Sequence, residues 1–334
     1  MGMIHQASAA DTRESTKPFG ALAFLAWDHD WNEYHSSGDK LDKTADLLKE
    51  AGVDIVRVDF LWPDIEPTPG NFVFDKYDRI VKVLSSRGIK ILAMLHYNVP
   101  WDSSTWNQRP DPEHFTRYAT SVADHFKNDV KYWEIWNEPD YDFYWTPQDE
   151  MQSYTDLLKK VYPALKAVDP TCVVVLGGLS QSCSIQLKRV YQWGGKDFFD
   201  VVNIHPFVDP LQSNAMELLH GEYRGVYKVM EKNKDEEKPI WFTELGCPGI
   251  DRADQGGWFA GKNPTEAEQA DWVERIYTEP LQWKGVQKIF WAFFRDTPNH
   301  FHNGTDYFGL IREDFSKKPS FERYRSVAKA LGTK

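Results

Sequence analysis

The sequence is poor in cysteine. Its 334 residues hold three, Cys172, Cys183 and Cys247. So odd and sparse a set is no disulfide framework and offers no C-x-x-C metal spacing, although one bridge stays open. There is no run of 18 apolar residues, which excludes a membrane-spanning helix. Net positive charge is also lacking: 39 Lys and Arg stand against 50 Asp and Glu, a formal charge of -11. That balance argues against nucleic acid or an anionic membrane as the main partner, since both need basic patches. The stretch Met1 to Pro18 has no hydrophobic h-region, so it does not read as a signal peptide. A flexible leader over residues 1–18 is expected, followed by one catalytic domain over 19–334. Ala7-Ser8-Ala9-Ala10 offers small residues of the kind found at a cleavage site. The compartment stays open, with secretion the favoured reading.

What is abundant is aromatic: 14 Trp, 15 Tyr and 20 Phe. Most aromatic rings fill cores. An indole face is also a platform for the C–H face of a sugar, whose hydroxyls bond at the ring's edge.

Strand-like apolar runs alternate with helix-like amphipathic runs along the whole chain. The strand candidates are 20–27, 55–62, 89–97, 131–138, 172–180, 201–207, 239–246 and 288–296. Helical patterns lie over 39–51 and 75–87, and near 112–127, 147–168, 185–193, 213–232, 264–282 and 319–331. Asp39 and Asp75 open the first two, which stop at Gly52 and Gly88. Pro112, Pro147 and Pro264 stand where a first helical turn tolerates them. Nearly continuous apolar strands alternating with helices mean a parallel sheet covered by helices, either open and doubly wound or closed. A nucleotide-binding open sheet should show G-x-G-x-x-G or G-x-x-x-x-G-K-[ST], and neither occurs. Eight units favour an α/β fold of one (β/α)8 barrel.

In such a barrel the chemistry sits at the C-terminal ends of the strands. Those ends carry Arg57 and Asp59, His96, Asn137-Glu138, Asn203 and His205, Glu244, and Trp291 with Arg295-Asp296. A buried carboxylate costs several kcal/mol unless paired. Two glutamates at strand tips make sense when they converge on a substrate. Glu134 lies a step deeper than Glu138 and is expected to neutralise Arg57 or Arg295 instead.

Tyr132-Trp133-Glu134-Ile135-Trp136-Asn137-Glu138-Pro139 resembles the strand-four motif of glycoside hydrolase clan A, in which the Glu of Asn-Glu-Pro is the acid/base. Ile240-Trp241-Phe242-Thr243-Glu244-Leu245-Gly246 resembles the clan's strand-seven motif, whose Glu is the nucleophile. Asn-Glu-Pro alone recurs by chance; both motifs, in order on an eight-unit pattern, are specific. The wording leans to family 39, with family 5 next.

The resemblance spans about residues 20 to 331 and implies a retaining β-glycosidase with Glu138 as acid/base and Glu244 as nucleophile. It implies substrate contacts from Arg57, His96, Asn137, His205 and Trp291, with Trp291 flooring the sugar at the cleavage point. One departure is His205-Pro206-Phe207, where several families carry His-x-Tyr with the tyrosine bonding the nucleophile. Arg57, Tyr97 or Asn203 must then tune Glu244.

Retaining chemistry needs two carboxyl groups about 5–5.5 Å apart, one protonated and one ionised. Apolar neighbours Trp133, Trp136 and Pro139 should raise the pKa of Glu138, and Arg57 should favour the charged form of Glu244. Trp101, Trp106, Trp145 and Trp258 fall in rim loops as sugar platforms or packing residues, and Trp101 is the one assigned to substrate. The partner expected is a β-linked oligo- or polysaccharide, with glucan, xylan and mannan all open, acted on by a monomer. No cofactor and no metal is expected, because no His-x-His stands on an early strand and His29 is the only histidine near strand one. The alternatives are a transglycosylase using the same intermediate, an inactive sugar-binding barrel and a metal-dependent barrel hydrolase.

Overall fold

The structure, a computed structural model, describes residues 17–28, 38–250 and 262–332. Most of the leader, His29 and Trp258 lie outside these residues. Among the described residues are eight strands: β1 (Phe19–Leu22), β2 (Ile55–Leu61), β3 (Lys90–His96), β4 (Tyr132–Ile135), β5 (Val173–Leu176), β6 (Val202–Ile204), β7 (Ile240–Leu245) and β8 (Val286–Trp291). The strands are parallel, in the order β5-β4-β3-β2-β1-β8-β7-β6. Parallel bridges from Val175 to Val201 and from Leu179 to Ile204 join β5 to β6 and close the ring. The fold is a (β/α)8 barrel.

Around it run α1 (Gly38–Ala51), α2 (Trp62–Ile65), α3 (Asp75–Ser85), α4 (Pro112–Phe126), α5 (Gln152–Val168), α6 (Cys183–Gln192), α7 (Ala215–Lys232), α8 (Glu266–Thr278) and α9 (Pro319–Leu331). Local signals explain several starts. Pro112 opens α4 behind an Asp111 cap that accepts from the backbone N–H groups of Glu113 and His114. A capping box between Thr265 and Glu268 starts α8, so Pro264 lies just before the helix rather than in its first turn. Pro147 also differs from expectation: it follows Thr146 in a loop, and α5 begins only at Gln152.

Strand alternation decides what enters the barrel. On β2, Val56, Val58 and Phe60 face outward into the large core shared with the helices. Ile55 joins Leu92, Val175, Val201, Trp241 and Phe290 in a separate apolar plug inside the barrel. Two residues further along each of β2, β3, β6 and β7 stand Arg57, Met94, Asn203 and Thr243. The polar layer therefore sits on the apolar plug, and the site is built on that layer.

Candidate active site

Arg57 is the hub, with none of its surface exposed. Its Nε donates to Glu134 Oε2 at 2.6 Å and its Nη2 to Glu134 Oε1 at 2.9 Å. Nη2 also donates to Asn137 Oδ1 at 2.8 Å, and Nη1 donates to Glu244 Oε1 at 2.5 Å. Burial opposes the guanidinium charge, but the neighbouring Glu134 and Glu244 carboxylates outweigh it and hold the Arg57 pKa above its ordinary value. Of the two partners proposed for Glu134, Arg57 is the one it meets. Glu134 also accepts from Asn203 Nδ2 at 2.9 Å and from Gly178 N at 3.3 Å.

Plain alternation along β7 cannot turn both Thr243 and Glu244 inward. The strand solves this with an irregularity: Phe242 pairs with Ile289 but Leu245 pairs with Trp291, three residues opposite two. The extra residue is a bulge, and it lets Thr243 face Glu134 and His205 while Glu244 reaches Arg57. On the fourth strand the device is a break. Regular β4 ends at Ile135, and Trp136 (φ 69°) and Glu138 (φ 44°) take left-handed backbone conformations. Such positions cost about 1–3 kcal/mol each and concentrate at functional sites. Trp136 turns into the outer core, while Asn137 and Glu138 both turn to the barrel mouth. Glu138 thus reaches the site by this break, not by sharing strand parity with Glu134.

Glu138, His205 and Glu244 each present an atom within 4.8 Å of the others. Two carboxylate charges at that separation would repel by about 3–4 kcal/mol at an effective dielectric near 20. One proton is therefore held between the pair. Burial raises the Glu138 carboxyl to about 7, against a partial offset from Arg57. Burial raises Glu244 as well, opposed by the Arg57 guanidinium. The ion pair with Arg57 belongs to Glu244, so Glu244 carries the charge and Glu138 the proton.

The partner of Glu138 is His205, whose Nδ1 lies 2.7 Å from Glu138 Oε1. Burial lowers His205 to about 4, so the ring is neutral. Its Nε2 lies 2.9 Å from Thr243 Oγ1. Gly178 is what lets the ring in: a β-carbon there would stand 2.0 Å from His205 Nε2.

His96 is wholly buried, with Nε2 2.9 Å from Asp59 Oδ1, and burial lowers its pKa. Asn203, one of three candidates to tune the nucleophile, serves Glu134 and the Leu176 carbonyl instead. Arg57 is the candidate that bonds Glu244. Phe207, at the position of the missing tyrosine, stacks on Phe308 with ring centres 6.0 Å apart.

Two tryptophans depart from their assigned roles. Trp291 is fully buried, and its indole N–H donates to Phe308 O at 2.7 Å; a sugar would reach its face only after neighbouring residues move. Trp101 donates to Glu66 O at 2.9 Å and packs edge-on against Trp62. It braces the loops after β2 and β3. Trp145 is also core.

Sequence reasoning missed Thr243 and Asp140. Asp140 accepts from the backbone N–H groups of Ser180 and Gln181, tying the loop after Glu138 to the loop after β5. Burial raises its carboxyl to about 7. Its place in Glu138-Pro139-Asp140 was the available signal.

Any cation bound here would have to use Glu138, His205 and Glu244. Arg57 already supplies positive charge to Glu244, and both His205 nitrogens have partners. The donor set suits proton chemistry better than ligation.

The sequence model of the Cellulase family, glycosyl hydrolase family 5, matches residues 13–294. The chain belongs to glycosyl hydrolase family 5. This family 5 chain is 28% identical over 182 residues to beta-galactosidase BbgII of Bifidobacterium bifidum, covering 45% of this chain and 26% of that protein. It is 32% identical over 106 residues to a beta-glucosidase of Agrobacterium sp., covering 29% of this chain and 23% of that one. The chain thus spans about a quarter of the length of these curated relatives. Among solved structures, a family 39 glycoside hydrolase from the gut symbiont Bacteroides cellulosilyticus WH2 superposes with TM-score 0.75 at 25% identity, covering 94% of this chain and 64% of that one. A GH5_18 protein from Streptomyces cattleya, solved with GlcNAc, superposes with TM-score 0.76 at 16% identity over 96% of this chain and 81% of that one, a likeness of fold. Both families named from the sequence recur, family 5 in the sequence model and family 39 in a solved structure.

Proposed function

We propose that this family 5 protein is a retaining hydrolase of β-linked glycosides, with Glu138 as acid/base and Glu244 as nucleophile. One observation carries the reading. Two carboxyl groups from opposite sides of the barrel come within 4.8 Å, one paired with a guanidinium and the other with a neutral imidazole. That separation fits direct attack on the anomeric carbon better than the 6.5–9.5 Å that inverting enzymes need for an intervening water.

In the first step a Glu244 oxygen bonds the anomeric carbon while the bond to the leaving oxygen breaks. The Glu138 proton passes to that oxygen. Glu244 loses its charge in the ester, so Glu138, now ionised, can take a proton from water. The water oxygen bonds the anomeric carbon, the ester bond breaks, and Glu244 regains its charge. Asn137 Oδ1 accepts from Arg57 Nη2, which leaves the amide nitrogen to donate to a sugar hydroxyl. His96, wholly buried beside Asp59, is left out of the substrate contacts in this reading. Substrate contact by Trp291 and Trp101 is not part of this reading.

The substrate is read as a β-linked oligo- or polysaccharide and the working unit as a monomer. Curated relatives named as a beta-galactosidase and a beta-glucosidase support the substrate class. The test is Glu138→Ala on paired substrates. An aryl β-glycoside with an activated leaving group needs no proton and should be turned over far better than an unactivated glycoside. Equal loss on both refutes the role of Glu138. Undiminished turnover with excess chelator is expected, and its loss would favour a metal-dependent hydrolase.

A further inference from the structure

The loop after β5 is held through its main chain. The backbone N–H of Gly177 donates to Tyr154 Oη at 2.7 Å, and that of Gly178 to Glu134 Oε1 at 3.3 Å. Leu179 N donates to Asn203 O at 3.2 Å, and Leu179 O accepts from His205 N at 2.8 Å. Ser180 N and Gln181 N donate to Asp140 Oδ2 at 3.0 and 2.6 Å. Inside this fixed frame one polar atom is left over. The Ser180 hydroxyl oxygen is buried and makes no hydrogen bond in the resting structure. Buried polar groups are rarely left so, and an exception calls for a reason.

The reason lies in what the hydroxyl faces. It stands against Glu138, and a hydrogen bond from it favours the charged form of that carboxyl. At rest Glu138 holds its proton against His205 Nδ1, 2.7 Å away, and carries no charge for the hydroxyl to meet. The demand arises later. Once Glu138 has protonated the leaving oxygen it is a carboxylate. His205 then offers it no donor, because Nδ1 is an acceptor and the ring's proton is on Nε2, toward Thr243.

We infer that Ser180 is a positioning residue for the second half of the reaction: its hydroxyl donates to ionised Glu138 and holds it ready to take a proton from water. The inference rests on the reading of Glu138 and Glu244 given above. The Ser180 proton stays on Ser180 throughout. Its hydrogen bond forms when Glu138 ionises and breaks when Glu138 takes the proton of the incoming water. Asp140 sets the donor in place. It lies two residues after Glu138 and binds Ser180 N, so the acid's own loop carries the anchor. A donor fixed beforehand needs little reorganisation at the moment of use.

Other groups surround Glu138. Arg57, Glu134, Glu244 and Asp140 exchange charge effects with it, and Tyr97, Tyr144 and Cys183 lie within its reach, kept neutral by burial. None of them loses a contact in Ser180→Ala, because Asp140 binds the main chain of residue 180 and not its side chain. A pH limb that belonged to Asp140 would therefore stay where it is.

The test separates the two halves with a dinitrophenyl 2-deoxy-2-fluoro-β-D-glucoside, or the galactoside, xyloside or mannoside, whichever traps the parent. Trapping reports the first half and, with so good a leaving group, needs no acid. Recovery of activity after excess reagent is removed reports the second half and needs ionised Glu138. In Ser180→Ala the trapping rate should stay within about twofold. The acid limb of the recovery profile should move up by about one pH unit, the worth of one hydrogen bond to a charged group. Recovery below the limb should slow about tenfold, and the plateau above it should keep the parent's rate. A limb that stays put, or moves down, overturns the inference. A fall in trapping and plateau with the limb unmoved makes Ser180 structural and also overturns it. A parent that none of these reagents traps, or that is trapped away from Glu244, sinks the reading of the glutamates, and the role of Ser180 with it.

Discussion

His205 stands between Glu138 and Thr243, with Nδ1 2.7 Å from Glu138 Oε1 and Nε2 2.9 Å from Thr243 Oγ1. A neutral imidazole has one proton for these two contacts. The Thr243 hydroxyl also faces Glu134 Oε1 at 3.4 Å, a carboxylate oxygen that only accepts. Thr243 therefore donates to Glu134 and accepts from His205 Nε2–H. That leaves Nδ1 as an acceptor, and only a protonated Glu138 can donate to it. The tautomer of His205 thus holds Glu138 in its acid form, alongside the effect of burial.

Thr243→Val keeps the shape and removes the hydroxyl. His205 can then carry its proton on Nδ1 and donate to an ionised Glu138. The alkaline limb of the kcat/KM profile should move down by about half to one pH unit, the worth of one hydrogen bond. Thr243→Ser should restore it. An alkaline limb that stays put in the valine variant removes Thr243 from the account.

The raised pKa of Glu138 also has a sign in stability. Its folded value, about 7, lies above the ordinary 4.5. The folded protein therefore binds this proton more tightly than the unfolded chain, so the contribution is full below about 4.5 and lost as pH rises through about 7. Glu138→Gln cannot titrate. Its melting temperature relative to the parent should rise between pH 4.5 and 7 and level off above. A difference that does not change with pH contradicts the raised value.

Arg57 is bound to three acidic or amide partners, so its loss leaves charge buried. Arg57→Met should cost about 3–5 kcal/mol in urea unfolding, the usual penalty for removing one partner of a buried ion pair. Turnover should fall by orders of magnitude, because Glu244 loses the group that keeps it ionised. A stability loss below about 1 kcal/mol would mean that Glu134 and Glu244 find other partners.

Gly178→Ala tests the approach of the His205 ring. A methyl 2.0 Å from Nε2 cannot coexist with the present contact, so the ring must move away from Thr243 and Glu138. Activity on unactivated glycosides should drop about tenfold or more, with a smaller loss on activated ones that need no acid. Equal activity on both classes in parent and variant argues that His205 does not support Glu138.

The sequence carried the barrel because burial on both faces of a strand shows as an apolar run, as on β2. It overestimated strand length where apolar loops continue inside the barrel mouth: 172–180 contains β5 only over Val173–Leu176. The meeting of Glu138 and Glu244 at the barrel mouth was readable because their motifs combine rare neighbours in a fixed order. Thr243 was not, because its importance depends on a bulge in β7 and on residues 40 and 109 positions away, Asn203 and Glu134. For the same reason the sequence left Trp145 open between sugar platform and packing, and the structure buries it. Loop position says that an indole is near the rim, but only packing says whether its face is free.

The central claim is that Glu244 bonds the sugar. A 2-deoxy-2-fluoro glycoside of the hydrolysed sugar, carrying a good leaving group, should stop the enzyme as a covalent adduct. Proteolysis and mass spectrometry should then find the fluorosugar on the peptide containing Thr243-Glu244-Leu245. A label on Glu138 or on any other residue, or turnover that never traps an adduct, would contradict the account.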